Sequence, residues 1–571
     1  MWLWLVVGFA VADSPNDSEE NEDWAVNNAH GATHTAQIEV NEGTWISVSA
    51  HDESLVFDLL GDLWLLPLEG GEATRLTSGA AWDSEPRFSP DGEQILYVSD
   101  EGGNEQIWVV NREGTEKRQV TEEKVARVTD PIWDPDGDWI IARRRTVDTR
   151  SIGVTELWQY HLEGGDGFAL TKLAQHPHAG ESTTDGRHIW FSSRNGRFQY
   201  NHNAVGGLWK IMRLDRTTAE LLPVVAGPGS GARPHLSPNG ELLSFISRDR
   251  TQTLLEVLDV GTGRRRVVAD WLDHDQMEGF ALHGVYPSMS WLNDDELVLW
   301  ARGKLWRVAL DGTRQEIPFS VSGDWDFHDV DRWPNEIGDD VRAKIIRWPT
   351  WAPDGSVAFS AMGILWVRNP KGDLHRVSPG TGYAPAWSPD GKELAWTSFG
   401  DADGGRLHIT RGTKTETLPL VGQLVNPAWS ADGQHLAVLR GIGGMTDADL
   451  ASELWFELVL LKRGKKGWTR QVVTSMANRG VDRAARLFFY DDRIWFLEAR
   501  AAGPREPDNS VLVSVKFDGT DKKTHLILPG GQEIVPSPDF KKVAYRHGHQ
   551  AWVTALPHWG REVDGKDEAL P

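Results

Sequence analysis

The sequence predicts an all-β protein of tandem β-propellers, and three observations carry this prediction. A turn of the type Ser-Pro-Asp-Gly recurs along the 571 residues, and an apolar strand with a Trp recurs between the turns. No useful length of chain has the i, i+3, i+4 spacing of an amphipathic helix. The composition agrees, because 29 Trp, 58 Gly and 29 Pro favour many short strands joined by turns.

The turn motif has a purely conformational explanation. Its Pro fixes φ for a type I turn, its Asp can accept from the following backbone, its Gly tolerates positive φ, and its Ser can cap the loop. We therefore do not assign metal binding or catalysis to the Asp residues, since one per blade would be spread around a ring. The copies are residues 89–92, 134–137, 183–186, 237–240, 352–355, 388–391 and 430–433, with degenerate copies at 49–53, 292–295, 490–492 and 537–540.

The recurring Trp predicts packing between adjacent blades, because one large ring per unit buries much apolar area. A Trp-lined ligand channel is the secondary interpretation. The Trp residues concerned are Trp64, Trp108, Trp158, Trp209, Trp306, Trp366, Trp495 and Trp552.

About eleven four-stranded units exceed the ~4 to 8 blades of one propeller, so we expect two rings. We place the first propeller at residues 36–320, an irregular connection at 321–346 and the second propeller at 347–571. Six units precede the connection and five follow it. We therefore expect the second ring to be incomplete or truncated.

The N-terminus predicts export. Residues 1–12 are apolar and end in Ala10-Val11-Ala12, a small-x-small pattern typical of a signal-peptide cleavage site, and residues 13–35 form an acidic leader that we expect to be flexible. A buried strand is the alternative interpretation of residues 1–12. We expect a periplasmic or extracellular protein, and no other segment is long and apolar enough to predict a membrane span.

Charge and cysteine content exclude several function classes. The formal net charge of -24 argues against nucleic-acid or anionic-membrane partners, which require concentrated Lys and Arg. The absence of Cys excludes disulfides, a thiol nucleophile and Cys-ligated zinc. We expect no cofactor.

The units resemble the TolB-type propeller repeat, found in TolB, in Tricorn-like proteases and in prolyl-oligopeptidase-like enzymes. Longer strings resemble the N-terminal propeller region of exported amidohydrolases related to imidazolonepropionase, over nearly the whole chain from about Ala36. These strings are Glu42-Gly-Thr-Trp45, residues 56–64, residues 70–79, residues 193–201, Leu272-Asp-His-Asp-Gln276 and residues 282–287.

In that family, the resemblance implies a metal-dependent amidohydrolase barrel after the propellers, with a His-x-His metal motif. A barrel needs about 250 residues, and we expect none within this chain. We therefore carry over no catalytic residue, and predict no catalytic, cofactor or metal site.

Residues 270–283 are the densest group of acidic and His side chains, which could bind a divalent cation or act as an acid–base pair. We favour a loop between blades with solvated charges, which could dock a neighbouring domain. The pairs His176/His178 and His547/His549 are interpreted as surface or turn histidines. The candidate interface residues are Asp273, His274, Asp275, Glu278 and His283.

The sequence thus predicts a non-catalytic, exported binding or scaffold module with a protein or peptide partner in the periplasm. The alternative is the propeller portion of a metal-dependent amidohydrolase, which hydrolyses C–N bonds and whose catalytic domain is missing from this chain and lies on a separate or truncated gene product.

Overall fold

The computed structural model describes residues 26, 31–147, 153–171, 179–194, 207–249, 251–279, 283–329, 338, 340–400, 404–441, 455–477, 486–500, 509–529, 531–547, 549–556 and 563–564. The signal peptide predicted at residues 1–12 and most of the leader at 13–35 lie outside the described residues. Every regular element in the described part is a β-strand, which confirms the predicted all-β class.

The first 27 strands are β1 (Thr33–Val40), β2 (Val48–His51), β3 (Ser54–Leu59), β4 (Asp62–Pro67), β5 (Gly71–Glu72), β6 (Thr74–Arg75), β7 (Asp83–Phe88), β8 (Gln94–Ser99), β9 (Gln106–Asn111), β10 (Arg118–Gln119), β11 (Arg127–Trp133), β12 (Trp139–Val147), β13 (Gly153–His161), β14 (Phe168–Ala169), β15 (Ala179–Thr184), β16 (His188–Arg194), β17 (Trp209–Asp215), β18 (Leu221–Val225), β19 (Ala232–Leu236), β20 (Leu242–Asp249), β21 (Gln252–Asp259), β22 (Arg265–Ala269), β23 (Ser290–Asn293), β24 (Glu296–Ala301), β25 (Lys304–Ala309), β26 (Arg314–Ile317) and β27 (Phe319–His328).

They form six consecutive four-stranded antiparallel sheets within the described residues. Sheet 1 consists of β2, β3, β4 and β6. Sheets 2 to 6 consist of β7–β10, β11–β14, β15–β18, β19–β22 and β23–β26. Each first strand contacts the first strand of the next sheet, and β2 also contacts β23. The first strands therefore surround a common axis, and the six sheets form a ring.

Ring closure between sheets 6 and 1 is visible in single hydrogen bonds. The Val48 amide donates to the Ser288 carbonyl at 3.2 Å, and the Trp300 indole donates to the Gly43 carbonyl at 2.8 Å. One continuous apolar core joins the two sheets through side chains such as Val48 and Leu297. The first and last sheets of the ring are therefore packed against each other as neighbours.

The prediction of an irregular connection at 321–346 is wrong for residues 321–328, because they continue strand β27. This strand pairs antiparallel with β1 from Thr33↔His328 to Val40↔Val321, and its first residues pair in parallel with β5. The end of the predicted leader, Thr33 to Thr35, belongs to the same ribbon. Pairing supplies backbone partners to both segments, which is the physical reason for their extended structure.

The remaining strands are β28 (Arg347–Trp351), β29 (Val357–Ala361), β30 (Ile364–Arg368), β31 (Leu374–Arg376), β32 (Tyr383–Trp387), β33 (Leu394–Ser398), β34 (Arg406–Arg411), β35 (Lys414–Val421), β36 (Leu424–Trp429), β37 (His435–Gly441), β38 (Trp455–Gly464), β39 (Gly467–Ala477), β40 (Leu487–Tyr490), β41 (Arg493–Arg500), β42 (Asn509–Lys516), β43 (Lys523–Pro529), β44 (Gly531–Pro536), β45 (Lys542–His547), β46 (Gln550–Ala555) and β47 (Val563–Asp564).

These strands form a second row of five sheets in the described residues. Sheets 7, 8 and 9 are the four-stranded β28–β31, β32–β35 and β36–β39. Sheet 10 holds β40–β43 with β47, and sheet 11 holds β44–β46. Four apolar clusters join consecutive sheets of this row. The eleven sheets match the number of units predicted, whereas the incompleteness of the second ring stays a prediction.

The recurring turn has the predicted hydrogen bonds. In residues 89–92 the Ser89 hydroxyl donates to Asp91 Oδ1 at 2.6 Å and accepts from the Gln94 amide at 2.9 Å. Gly92 has φ of 76°. The same Ser–Asp bond recurs at Ser388, Ser430 and Ser537. The motif therefore folds the hairpin between the first two strands of a sheet.

Candidate functional site

Two of the five predicted interface residues bind one arginine. The Arg248 guanidinium donates to Asp275 Oδ2 at 3.0 Å through Nε and to Glu278 Oε2 at 2.7 Å through Nη2. Thr253 also donates its hydroxyl proton to Asp275 Oδ2, at 2.6 Å. The expectation of solvated charges is wrong for Asp275, which is 2% exposed, because its ion pair and hydrogen bonds replace hydration.

The other three predicted residues lie apart from this group. Asp273 accepts from the backbone amide of Arg302, and His274 is exposed. His283 Nδ1 lies 4.0 Å from Glu85 Oε1, a carboxylate of sheet 2. Asp275 and Glu278 thus belong to a structural ion pair with Arg248. His274 lies at the surface, and His283 lies at the edge of a second group of charges.

That second group arises from an irregularity repeated in the first strand of most sheets. Here a residue before proline has positive φ and the strand register shifts by a β-bulge, as at Glu85 (φ 55°), Asp130 (φ 52°) and Arg233 (φ 58°). The same feature occurs at Trp348, Ala384 and Asn426 in the second row. It therefore belongs to the repeat, and the side chain at this position distinguishes one sheet from the next.

A bulge removes the residue's amide from the strand ladder, and a preceding sheet supplies the acceptor. The Glu85 amide donates to Asp58 Oδ2 at 2.8 Å, and the Asp130 amide donates to Glu85 Oε2 at 2.6 Å. The Arg233 amide donates to the Ser192 hydroxyl at 2.9 Å. These bonds run from sheet to sheet around the axis and fix each side chain in place.

One ion pair, which we call the cross-axis pair, joins the first strands of the two sheets on either side of sheet 4. Arg233 of sheet 5 donates from Nη1 to Asp130 Oδ1 of sheet 3 at 2.6 Å, passing over sheet 4. Arg143 Nη2 lies 2.8 Å from the other oxygen of Asp130. We call Asp58, Glu85, Arg87, Asp130, Arg143, Arg233 and His235 the axial cluster.

Burial shifts the pKa values of this cluster in opposite directions. It raises the pKa of Asp58 to about 7, and burial together with the charge of Asp130 raises the pKa of Glu85. Burial also acts to raise the pKa of Asp130, but Arg143 and Arg233 hold it below its ordinary range. The cluster therefore keeps Asp130 charged while it favours protonation of Asp58 and Glu85.

Burial has the converse effect on the bases. It lowers the pKa of Arg87 to about 10, with a further contribution from Arg233, so Arg87 remains a cation at neutral pH. It lowers the pKa of His235 well below the ordinary value, which keeps the imidazole neutral. A neutral imidazole can donate one hydrogen bond and accept one.

The cluster has a buried layer and an accessible layer. Glu85, Asp130 and Arg233 are at most 3% exposed, whereas Arg87 and His235 are half-buried. Arg87 Nη1 donates to the Pro86 carbonyl at 2.9 Å, but Arg87 Nε and His235 Nε2 have no hydrogen-bond partner within the described part of the chain. Both of these nitrogen atoms are themselves buried, so the unused hydrogen-bonding capacity lies inside the cluster, beside the cross-axis pair.

Residues 46–207 match the Tricorn protease N-terminal beta propeller domain. This match lies within the ring of sheets 1 to 6 and confirms the predicted Tricorn- and TolB-like propeller repeat. It does not bear on the predicted relation to amidohydrolases.

Curated relatives match parts of the chain. Tricorn protease homolog 1 of Streptomyces coelicolor is 24% identical over 420 residues, which cover 68% of this chain and 36% of the relative. The uncharacterized peptidase YuxL of Bacillus subtilis is 33% identical over 81 residues, covering 14% of this chain and 12% of the relative. The chain therefore spans well under two thirds of these proteins.

Two solved structures also match most of the chain. The tricorn protease crystal structure is 16% identical with a TM-score of 0.38, covering 88% of this chain and 46% of the other. TolB from Acinetobacter baumannii is 12% identical with a TM-score of 0.24, covering 68% of this chain and 80% of the other.

Two Ser–His pairs outside the axial cluster have hydrogen-bond geometry. Ser398 Oγ lies 2.8 Å from His408 Nε2, whose Nδ1 contacts the Thr417 hydroxyl at 3.0 Å instead of a carboxylate. Ser514 Oγ lies 2.7 Å from His525 Nε2 and also accepts from Arg493 Nε at 2.8 Å. Neither His has a carboxylate among the described residues to orient it as a base, so we assign these pairs to packing.

Two further observations concern the described residues alone. They contain no group of three or more His, Asp and Glu side chains arranged to hold a metal ion. They also contain no helix of the length and apolarity needed to cross a membrane. His176 and His178 lie outside these residues, whereas His547 and His549 are exposed, as predicted.

The sequence interpretation missed the axial cluster. The sequence contained one indication of this cluster, because a proline follows each of Glu85, Asp130 and Arg233 at the same place before the turn motif. The convergence of these residues depends on ring closure, since Asp130 and Arg233 are 103 positions apart.

Proposed function

We propose that this chain is a non-catalytic β-propeller binding module whose first ring holds a protein or peptide partner at the axial cluster. The observation that carries this proposal is the half-buried side chain of Arg87, whose buried Nε has no hydrogen-bond partner among the described residues, beside the buried cross-axis pair of Arg233 and Asp130. The exposed part of the Arg87 side chain provides a site for one group of a ligand.

The preferred ligand group is the carboxylate of an acidic side chain. Arg87 remains a cation, while burial favours the neutral forms of Asp58 and Glu85. A guanidinium forms charge-assisted hydrogen bonds to a carboxylate, and the neutral imidazole of His235 adds a donor or an acceptor beside it. An acidic segment bound here would contact the exposed parts of both side chains.

Selection from a displayed peptide library tests this proposal. The wild-type chain is the bait, and the eluted peptides are tested against Arg87→Gln. Arg265→Gln is the matched control, because Arg265 pairs with Glu256 at 2.8 Å on the outside of sheet 5. We expect enrichment of Asp- or Glu-containing peptides that bind the wild type and the control but not Arg87→Gln. Equal binding to all three chains, or no enrichment, would contradict the proposal.

We also propose that the module is exported, on the support of the apolar residues 1–12 and their small-x-small ending. Expression of the full sequence followed by cell fractionation and N-terminal sequencing tests this. Mature protein that begins at Asp13 outside the cytoplasm supports export, whereas an intact Met1 on cytoplasmic protein opposes it.

The alternative function keeps the same module and adds a catalytic partner. The strings around residues 193–201 and 272–287 support an amidohydrolase partner through the resemblance described above, and the match at residues 46–207 supports a peptidase partner instead. Amide hydrolysis with added zinc after co-expression with a candidate barrel would favour the first. Cleavage of unmodified peptides would favour the second.

A further inference from the structure

A cleft of about 730 Å³ opens between sheets 2 and 3 of the first ring, near their outer strands. This volume lies within the range of about 300–1,000 Å³ that small-molecule sites occupy. We call it the rim cleft. Its lining consists of Gln119, Val120, residues 122–124, Arg144, Trp158, Tyr160 and residues 163–167.

The rim cleft is separate from the axial cluster. Arg144 lines the cleft and Arg143 belongs to the cluster, and these neighbours on β12 point to opposite faces of sheet 3. The strand register places Trp158 and Tyr160 of β13 on the same face as Arg144. This is the face that packs on sheet 2, so the cleft is directed away from the residues that pair with Asp130.

One wall of the cleft is an oriented ion pair. Glu123 accepts from Arg144 Nε at 2.6 Å and from Nη2 at 3.0 Å, and the Tyr160 hydroxyl donates to Glu123 Oε1 at 3.3 Å. The side chains of Arg144 and Glu123 are 22% and 19% exposed, so a ligand can reach them. Two of the five N–H groups of the guanidinium bind Glu123, and each carboxylate oxygen can accept more than one hydrogen bond.

The floor of the cleft is aromatic. The ring centroids of Trp158 and Tyr160 are 6.2 Å apart, with an angle of 24° between the ring planes. Trp158 is half-buried, and its indole lines the cleft. Apolar ring surface beside paired donors and acceptors fits a sugar, because the C–H groups of a sugar ring pack on an aromatic ring and its adjacent hydroxyls both donate and accept.

The charges of the cleft favour an uncharged ligand. A ligand cation would compete with Arg144, whose guanidinium already lies 4.5 Å from the centroid of the Trp158 ring and whose charge is balanced by Glu123. A ligand anion would meet four carboxylates in the lining against two cations. The carboxylates are those of Glu122, Glu123, Glu163 and Asp166, and the cations are Lys124 and Arg144.

The opposite wall is held in place by contacts within the protein. Residues 163–167 form the turn between β13 and β14, and Arg118 of sheet 2 donates from Nη1 to the Leu162 carbonyl beside this turn at 2.7 Å. Gly167 has φ of 64°, and an added Cβ there would lie 2.5 Å from Cδ1 of Tyr160. The turn therefore lies close against the aromatic floor, and a cleft formed in advance reduces the entropic cost of binding.

We infer that the rim cleft binds a short, uncharged oligosaccharide. One sugar ring packs on Trp158, and its neighbouring hydroxyls bind the ion pair of Glu123 and Arg144. This site is additional to the peptide site proposed at the axial cluster and does not depend on it.

Calorimetric titration of the wild-type chain with three neutral trisaccharides, cellotriose, maltotriose and triacetylchitotriose, tests the inference. We expect at least one of them to bind. Trp158→Ala and Glu123→Gln should each weaken that binding by about tenfold or more, whereas Trp158→Phe should retain most of it. Trp139→Ala is the matched control, because Trp139 lies on the opposite face of sheet 3 against His161, with 4.8 Å between the ring centroids.

Circular dichroism establishes that each variant is folded, and trilysine and triglutamate serve as charged probes. Binding of none of the three sugars, or sugar binding that survives both Trp158→Ala and Glu123→Gln, would overturn the inference. Tighter binding of a charged probe that is lost in Trp158→Ala would overturn the preference for an uncharged ligand. Arg87→Gln should bind the sugar like the wild type, and a loss there would place the sugar at the axial cluster instead.

Discussion

Arg233 and Asp130 form an ion pair between the first strands of sheets 3 and 5 of the first ring, with Arg233 Nη1 2.6 Å from Asp130 Oδ1. Both side chains are at most 3% exposed, and each belongs to a residue at which the first strand of its sheet bulges. The pair therefore depends on the strand bulges of sheets 3 and 5 and on the closure of the ring.

Breaking this pair should destabilise the first ring. Asp130→Asn removes the buried carboxylate that pairs with Arg233 and Arg143, so we expect a loss of about 3–5 kcal/mol in the free energy of unfolding. Urea denaturation followed by Trp fluorescence measures it. Glu163→Gln is the control, because its partner Arg118 lies 3.3 Å away on an exposed surface, and it should not shift the transition. Equal transitions for the two variants would contradict the structural role of the pair.

Asp58 should make stability decrease with rising pH. Burial raises its pKa from 3.8 to about 7, so the folded state holds the proton more tightly than the unfolded state. The stabilisation that this proton provides is fully present below about pH 4 and is lost as the pH rises to about 7.

Denaturation at several pH values measures this effect against Asp58→Asn. The variant should be less stable overall, because one carboxylate oxygen that accepts the Ser47 or Glu85 amide is replaced by an NH₂ group. Its stability should nevertheless vary less between about pH 4 and about pH 7 than that of the wild type. The same pH slope in both chains would show that Asp58 does not titrate in this window.

Substitution of two turn glycines allows the cost of backbone strain to be measured apart from the cost of a steric clash. Gly92 and Gly137 have φ of 76° and 80°, but an added Cβ would lie 2.4 Å from His51 Nδ1 at Gly92 and within 4 Å of nothing at Gly137. We expect Gly137→Ala to cost about 1 kcal/mol from positive φ alone and Gly92→Ala to cost more. Thermal unfolding of both variants measures the difference, and equal losses would contradict the clash.

The sequence was sufficient to predict the fold class because each unit carries its own turn chemistry. Ser89, Asp91 and Gly92 act within one hairpin, and so do their counterparts in other sheets, so local pattern determines these elements. The β1–β27 ribbon was missed because its pairing joins segments far apart along the chain, such as Thr33 and His328.

The axial cluster could not be predicted for the same reason, although proline after Glu85, Asp130 and Arg233 marked the bulges. The proximity of His283 to Glu85 depends on ring closure. His274 was an equally good candidate in the sequence, but it is exposed. The composition of residues 270–283 therefore identified a group of charged side chains. Which of them lie beside the axial cluster is determined by the closure of the ring.

The most direct test of the proposed function is calorimetric titration of a selected acidic peptide into the wild type, Arg87→Gln and Arg265→Gln. Loss of a charge-assisted hydrogen bond should weaken binding to Arg87→Gln by about tenfold or more, equivalent to at least about 1.4 kcal/mol. Arg265→Gln should retain the wild-type affinity. Unchanged affinity of Arg87→Gln, or an equal loss in both variants, would contradict binding at the axial cluster.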